Sequence, residues 1–552
     1  MSAPGKYAAL HLFLFLSIHK PPEAACPIGR TLAFCRGYAN FPTAYSRHIK
    51  PPEAACPIGR TLAFCRGYAN FPTAYSRHIK PPEAACPIGR TLAFCRGYAN
   101  FPTAYSRHIK PPEAACVIGR IYIQGNRTTR SYIVLRELSF KTGDTINLNN
   151  LVTAFRDAHD RLVNTRLFNE VVIYIKEFRG NVADIGIDLK ERWYIFPLPY
   201  LKPVDRNFTE WAQKHYSLSR IDYGGKFTHF NFTGRNDQLT AWLITGYARQ
   251  FELYYNLPFV DKRLRHGFGF GFNYAEQNEL DILTIGDKQY FVNSDTIGYA
   301  GKYLSKTLSF SARYFYRPAL RVRHTVNFNI VSARVDSAVT VWDPHYFNNG
   351  ARSVLYPEWV YTFNYTDVDY AAYPLDGAIF QTSLMRRGID REMNMWQLSV
   401  RLTRSWPIAY KWWFGFQNVS VLKWPLSQPF YNQGLIGYGD MFVRGLDRYV
   451  LDGTAGSVLR NTLFRELFNF SLPFTHIRSH DRIPFRIYAT AFSDYGYAYN
   501  RDFTSNSLVN RMLYTGGLGL DIVTFYDLNF RFDYSWNQLG QNGLFLHIRN
   551  DF

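Results

Sequence analysis

The sequence predicts a mainly β protein: a small β-α-α-β-β module over residues 117–192, followed by a transmembrane antiparallel β-barrel of sixteen strands over 193–552. Three observations lead there. Helical periodicity is confined to 117–192, and after Trp193 apolar and polar residues alternate in short stretches to the end of the sequence. The 436 residues after position 116 hold 81 aromatic side chains, as expected where Tyr and Trp belt two membrane interfaces. No apolar run approaches the roughly 20 residues that a spanning helix needs, and the mean hydropathy of −0.23 speaks against helical spans while leaving a barrel open.

The first 116 residues differ from the rest. Lys6 followed by the apolar stretch Ala8 to Ile18 has the charge order and length of a secretory signal, so 1–20 is read as a signal segment with no legible cleavage site. From 21 to 116 the 30-residue unit PPEAACPIGRTLAFCRGYANFPTAYSRHIK stands three times without a difference, and a fourth copy begins before diverging. Solenoid repeats usually vary at exposed positions. Perfect identity therefore points to a recent duplication or an assembly artefact, and the unit's prolines and lack of a strand or helix period predict poor order. All seven cysteines fall at or before 116. The nine-residue spacing of pairs such as Cys26 and Cys35 matches no zinc signature. This segment carries 14 basic and 4 acidic residues, hence +10 of the formal +20, and the remaining 436 residues supply the other +10.

In the module, Val117 to Ile123 reads as a strand closed by Gln124-Gly125-Asn126. A helical face follows over Thr129 to Leu138, broken at Gly143-Asp144. Leu148, Leu151, Val152, Phe155, Ala158 and Leu162 then mark an amphipathic helix. Strands at 171–175 and 184–189 complete it. Ile123-x-Gly125-Asn126-x-x-Thr129, Arg136-Glu137-Leu138, Gly143-Asp144 and Leu162-x-Asn164-Thr165-x-Leu167-Phe168-x-x-Val171, in this order, resemble a polypeptide-transport-associated (POTRA) domain. The resemblance implies a three-stranded sheet with Val171, Val172, Ile173, Tyr174 and Ile175 on its edge strand. Such an edge can pair with an extended guest of any sequence. The plainer alternative is an adaptor that holds another envelope protein.

In the barrel region, Leu308, Phe310, Ala312 and Tyr314 alternate with Thr307, Ser309, Ser311 and Arg313, and similar runs recur to the C-terminal Leu544 to Phe552. The 360 residues give sixteen strands about 22 residues each, enough for a strand of roughly 9–11 residues and a connection. Two motifs stand out: Val443-Arg444-Gly445-Leu446, and Phe492-Ser493-Asp494-Tyr495-Gly496. Together with Asn231 to Asp237, Tyr254-x-x-Leu257-Pro258 and Gly517 to Asp521, they resemble the BamA/TamA superfamily of outer-membrane assembly and translocation proteins, in a Bacteroidetes-type, surface-antigen-like form. The resemblance implies a long loop folded into the lumen, with Arg444 at its tip pairing with an inward-facing Asp494. It covers nearly all of 117–552. Leu446 departs from the family's usual aromatic. Pro197 and Pro199 cannot donate ladder hydrogen bonds. If their strand meets the last one, ending at Phe552, the seam between them is weak, as a lateral gate requires; alternatively these prolines merely end the linker.

Neither a nucleophile elbow, a His-Glu-x-x-His pair nor a phosphate loop is present, so the sequence predicts a non-enzyme with no cofactor and no metal. The modest basic balance suits anionic outer-membrane lipid, and no nucleic-acid reading motif is seen. The resemblance implies a bacterial outer-membrane location with the POTRA domain in the periplasm, and a protein that assists insertion or translocation of other proteins. Its partners would be unfolded outer-membrane or secreted clients, with accessory envelope proteins. A pore dedicated to one secreted protein and a passive porin-like channel are the alternatives; the first usually has two modules and a plug helix, and the second needs no module.

Overall fold

The structure, a computed structural model, describes the backbone of residues 32–40, 62–70, 94–100, 115–203, 221–294, 303–477, 480–501 and 506–549, with side chains over 115–201, 221–294, 303–473, 482–501 and 506–547. Two compact units divide the chain, Met1–Pro112 and Glu113–Phe552.

In the first unit the strands Leu32–Asn40, Leu62–Asn70 and Phe94–Asn100 pair in parallel, each residue with its counterpart in the next copy. This departs from the absence of a strand period read in the repeat. Identical copies can stack like on like in register, Phe34 opposite Phe64 and Tyr38 opposite Tyr68. The signal segment at 1–20 and the remainder of the array, Cys26 included, lie outside the described residues.

The second unit opens with the module. Its first strand is Ala115–Gln124, one to two residues earlier than the sequence boundary at 117, and Cys116 is a fully buried free thiol in the module's core rather than the last residue of the array. Helices Ser131–Arg136 and Leu148–Asn164 follow, the second capped by the Asn147 side chain. They cover a sheet ordered Thr145–Asn147, Ala115–Gln124, Val182–Glu191, Phe168–Arg179. The sheet thus has four strands instead of three, because the short segment before the long helix adds antiparallel to the first strand. Ile118, Ile133, Leu162, Leu167, Ile185 and Ile187 close the core between helices and sheet. At Gly125, φ is +87° and an added Cβ would stand 1.8 Å from the Leu189 carbonyl oxygen. Gly125→Ala should therefore destabilise the module by about 1–3 kcal/mol, read as faster hydrogen exchange in the strands Ala115–Gln124 and Val182–Glu191. Unchanged exchange would refute this.

From Ile195 to Arg549 sixteen strands form one sheet, consecutive neighbours antiparallel, with Ile195–Pro203 and Asn542–Arg549 as its two edges. Strands of 8 to 23 residues run through it, the longest being Ala455–Ile477 and His480–Tyr499. The sheet curls until its ends meet. Phe196 in the first strand packs edge-on against Tyr526, 5.5 Å away in the turn before Asn529–Asn537, and the Trp193 N–H donates to the Tyr526 hydroxyl at 3.1 Å. Phe310 points outward, whereas Arg313 points inward and donates to the Asn327 and Asn256 side chains at 2.6 and 3.1 Å. At the end away from the module, the hairpin Glu279–Ile285/Lys288–Asn293 folds over the opening, where the Asp287 carboxylate accepts from Ser507 and Leu508 N–H groups.

Candidate functional site

Between the strands Trp412–Trp424 and Ala455–Ile477 the chain leaves the wall and folds into the lumen. At the tip of this loop, Arg444 is 2% and Asp494, on the wall strand His480–Tyr499, 0% exposed. The Arg444 Nε and Nη2 donate to the two oxygens of Asp494 at 2.9 and 2.5 Å, a two-pronged ion pair. The backbone N–H of Arg444 donates to the same carboxylate at 3.0 Å, so Asp494 also fixes the loop's main chain. Nη2 reaches Thr462 Oγ1 at 3.0 Å, and the guanidinium lies 4.0 Å above the Phe492 ring.

The other motif residues explain each other. A Cβ on Gly496 would come within 2.9 Å of Val443 Cγ2, so that glycine is the seat of Val443. Gly445, at φ +82°, lets the loop pass close to the wall strand Asn529–Asn537, where a Cβ would meet Ser535 Oγ at 2.7 Å. Leu446 is buried with Leu435, Ile436, Met441 and Leu513. Arg444 has its aromatic neighbour in Phe492 of the other motif.

Two further anchors carried no sequence signal. Lys423, buried on the wall, donates to the carbonyls of Asn432, Gln433, Gly434 and Gly453 at 2.7–3.3 Å. Arg460 holds the carbonyls of Phe442 and Asp440 at 3.0 and 2.6 Å. A lone inward Lys or Arg on a strand looks like any other lumen charge until the loop is seated on it. Lys423→Met should loosen the loop by about 2–3 kcal/mol, because it strands buried carbonyls. Protease cleavage within 425–454 of the reconstituted protein should rise roughly 30- to 150-fold, by the conversion of 1.4 kcal/mol per tenfold; an unchanged rate would sink the assignment.

The module sits across one mouth of the barrel, touching five turns. Arg130 N–H donates to the Gly234 carbonyl at 2.9 Å, and Asn231 donates to Thr129 Oγ1 at 2.9 Å. Arg136 donates to the Leu264 carbonyl at 2.7 Å, and Arg317 grips Glu137 with both terminal nitrogens, at 2.6 and 2.8 Å. Asn164 exchanges hydrogen bonds with Val368 and Ala371 at 2.9 and 2.8 Å. Arg192, leading into the first strand, pairs with Asp527 at 2.8 Å. Burial, then the charge of Arg317, pushes the Arg136 guanidinium down to about 10. For Asp527 burial would raise the carboxyl, but the Arg192 hydrogen bonds and charge hold it below the usual range. Thr129, Glu137 and Asn164, which belong to the module's sequence pattern, are thus docking residues.

Phe168–Arg179, with Val171, Val172, Ile173, Tyr174 and Ile175, lies at an edge of the module's sheet. Val171 is buried, while Val172 and Ile175 are exposed. Register shifts at Phe168/Glu170 and Ile175/Glu177 bound the regular stretch. Pro197 and Pro199 lie on the first barrel strand, paired with Phe227 and Gly225. Among the described residues no ladder joins that strand to the last one. Alternate residues of a strand direct their backbone groups to the same side, so both missing donors fall on one edge. Phe552 lies outside the described residues.

The family model described as "POTRA: Surface antigen variable number repeat" matches residues 116–192, so the module is a POTRA domain. No curated protein matches the chain. Among solved structures it is similar to BamA from Haemophilus ducreyi lacking POTRA domains 1–3, at 14% identity and a TM-score of 0.44, over 79% of this chain and 84% of that one. CdiB from Escherichia coli is similar at 13% identity and 0.45, over 78% and 75%. CdiB from Acinetobacter baumannii is similar at 13% and 0.42, over 79% and 73%.

Proposed function

We propose that this chain, one POTRA domain docked on the mouth of a sixteen-stranded barrel, is a bacterial outer-membrane protein of the BamA/TamA type that helps other proteins insert into or cross that membrane. The observation that carries the reading is the pairing of two features in one molecule. A POTRA edge strand lies beside a barrel whose first and last strands share no described ladder. Backbone edges bind extended segments without regard to sequence, which suits unfolded clients. The seam is the least costly place to part the wall, since among the described residues no sheet ladder crosses it. The seated lumen loop would brace the last strands on one side of that seam, since Asn537 donates to the Gly445 carbonyl at 2.9 Å and Asp447 lies 3.5 Å from His547 of the last strand. The work is conformational rather than chemical, with the POTRA domain on the periplasmic side.

Depletion followed by a survey of the outer-membrane and secreted proteomes tests this. Loss of several barrel proteins supports assembly. Loss of one secreted product alone makes it a dedicated pore, and unchanged proteomes with altered solute uptake make it a channel.

A further inference from the structure

The two longest strands outrun their neighbours. Ala455–Ile477 pairs with Trp412–Trp424 only as far as Arg465, and His480–Tyr499 pairs with Met512–Val523 only from Arg486. Beyond these points the two strands pair with each other alone, through Pro473 and Arg482. The result is a two-stranded ribbon on the POTRA side, running on from Arg486 to His480, on the order of 20 Å at about 3.3 Å per residue. Lys411 with Glu466, at 3.1 Å, and Thr524 with the Pro484 carbonyl, at 2.9 Å, brace its base.

The ribbon has two unlike faces. Phe468, Phe470 and Leu472 lie opposite Ile487, Phe485 and Ile483, and the Phe470 and Phe485 rings stack at 5.5 Å. The first three are 60, 43 and 50% exposed. The other face presents Asn469, Ser471, Arg482 and Arg486. Ile487 is directly laddered to Ile522, on the side of the wall where Leu518 and Leu520 face outward, so the apolar face continues the barrel's outer surface. At the base, between Glu466 and Phe468, a register shift inserts an extra residue. Such a bulge bends and twists a ribbon.

We propose that this ribbon is a membrane-surface anchor, lying against the lipid of the POTRA-side leaflet with Phe468, Phe470 and Leu472 in the interface. A ribbon standing straight out would hold Phe468, Phe470 and Leu472 in water. Bent outward at its base, it turns the formerly outward face toward the leaflet and leaves the Arg, Asn and Ser face in solvent. The inference rests on the membrane reading of the barrel.

Spin labels at single cysteines test it, placed one at a time at 468, 469, 470, 471, 472 and the wall position 518. The full chain, with its native cysteines replaced by alanine, is reconstituted in phosphatidylethanolamine and phosphatidylglycerol vesicles, and folding is checked by heat-dependent gel mobility. Relaxation by oxygen should dominate at 468, 470, 472 and 518, and relaxation by a water-soluble nickel chelate at 469 and 471. Nickel access at all five ribbon positions, with oxygen still dominant at 518, overturns the anchor alone. Protection of 468–472 from both reagents also overturns it, in favour of a protein partner or a second copy. Nickel access at 518 instead overturns the membrane reading itself.

Discussion

Asp494→Asn should leave the barrel folded and inserted yet unseat the lumen loop and remove most of the protein's activity. Removing one partner of a buried ion pair costs about 3–5 kcal/mol, because the other charge stays behind without compensation. Arg444 is nearly sealed from solvent and would face a neutral amide at the position that now takes three of its hydrogen bonds. That energy corresponds to roughly a 150- to 4,000-fold rise in loop opening, at 1.4 kcal/mol per tenfold. It is measurable as cleavage within 425–454, beside a complementation assay for outer-membrane proteins. The exchange of charges, Arg444→Asp with Asp494→Arg, should not restore the loop. An arginine at 494 cannot accept the backbone N–H of residue 444, and its longer side chain would not fit the seat beside Phe492. Leu446→Phe should cost less, about 1–3 kcal/mol, because it overpacks the cluster of Leu435, Ile436, Met441 and Leu513 without touching the ion pair. Wild-type cleavage and complementation with Asp494→Asn would show that the pair does not hold the loop.

The sequence exposed those parts of the site that are built from rigid, local patterns. Arg444 and Asp494 stand in short motifs whose glycines are required by close packing, Gly496 against Val443 and Gly445 against Ser535, and such constraints leave a readable signature. The alternation in strands such as Ser305–Tyr316 was legible for the same reason, because a lipid face and a lumen face impose a period of two. What could not be read depends on partners far apart in the chain. Lys423 and the carbonyls of the loop are 9 to 30 residues apart, and Glu137 and Arg317 are 180 apart. Nothing near either residue distinguishes it from an ordinary surface charge. The boundary at 116 was misplaced because Cys116 belongs at once to the repeat's wording and to the POTRA strand. The ribbon beyond Arg465 leaves no mark in the sequence because its alternating pattern continues that of the wall, and only the shorter neighbouring strands reveal where the wall stops.

Glu137→Ala should release the POTRA domain from the barrel mouth. Glu137 is almost fully buried at the end of the first POTRA helix, gripped by Arg317 and contacted by Arg136 at 3.2 Å, while Arg161 donates to its carbonyl at 2.7 Å. Deleting the carboxylate leaves two guanidinium groups confronting each other in a partly dehydrated interface. That repulsion already bears on Arg136, whose pKa is pushed to about 10 by burial and by Arg317. The expected cost is again about 3–5 kcal/mol, and because the group is buried, added salt should recover little of it. The exposed pair Arg156 and Asp376, at 3.2 Å, joins the same two bodies but should contribute less than about 1 kcal/mol. Hydrogen exchange of 131–138 and of the turn at 317–321 would separate the two cases, accelerating together in Glu137→Ala and hardly at all in Arg156→Ala. Equal exchange in both variants would mean that the docking is spread evenly over the five turns. Acceleration confined to 131–138 would mean that Glu137 stabilises the POTRA fold and not its attachment. A joint acceleration assigns to this single carboxylate the control of whether the POTRA edge strand is held at the barrel mouth or swings free of it.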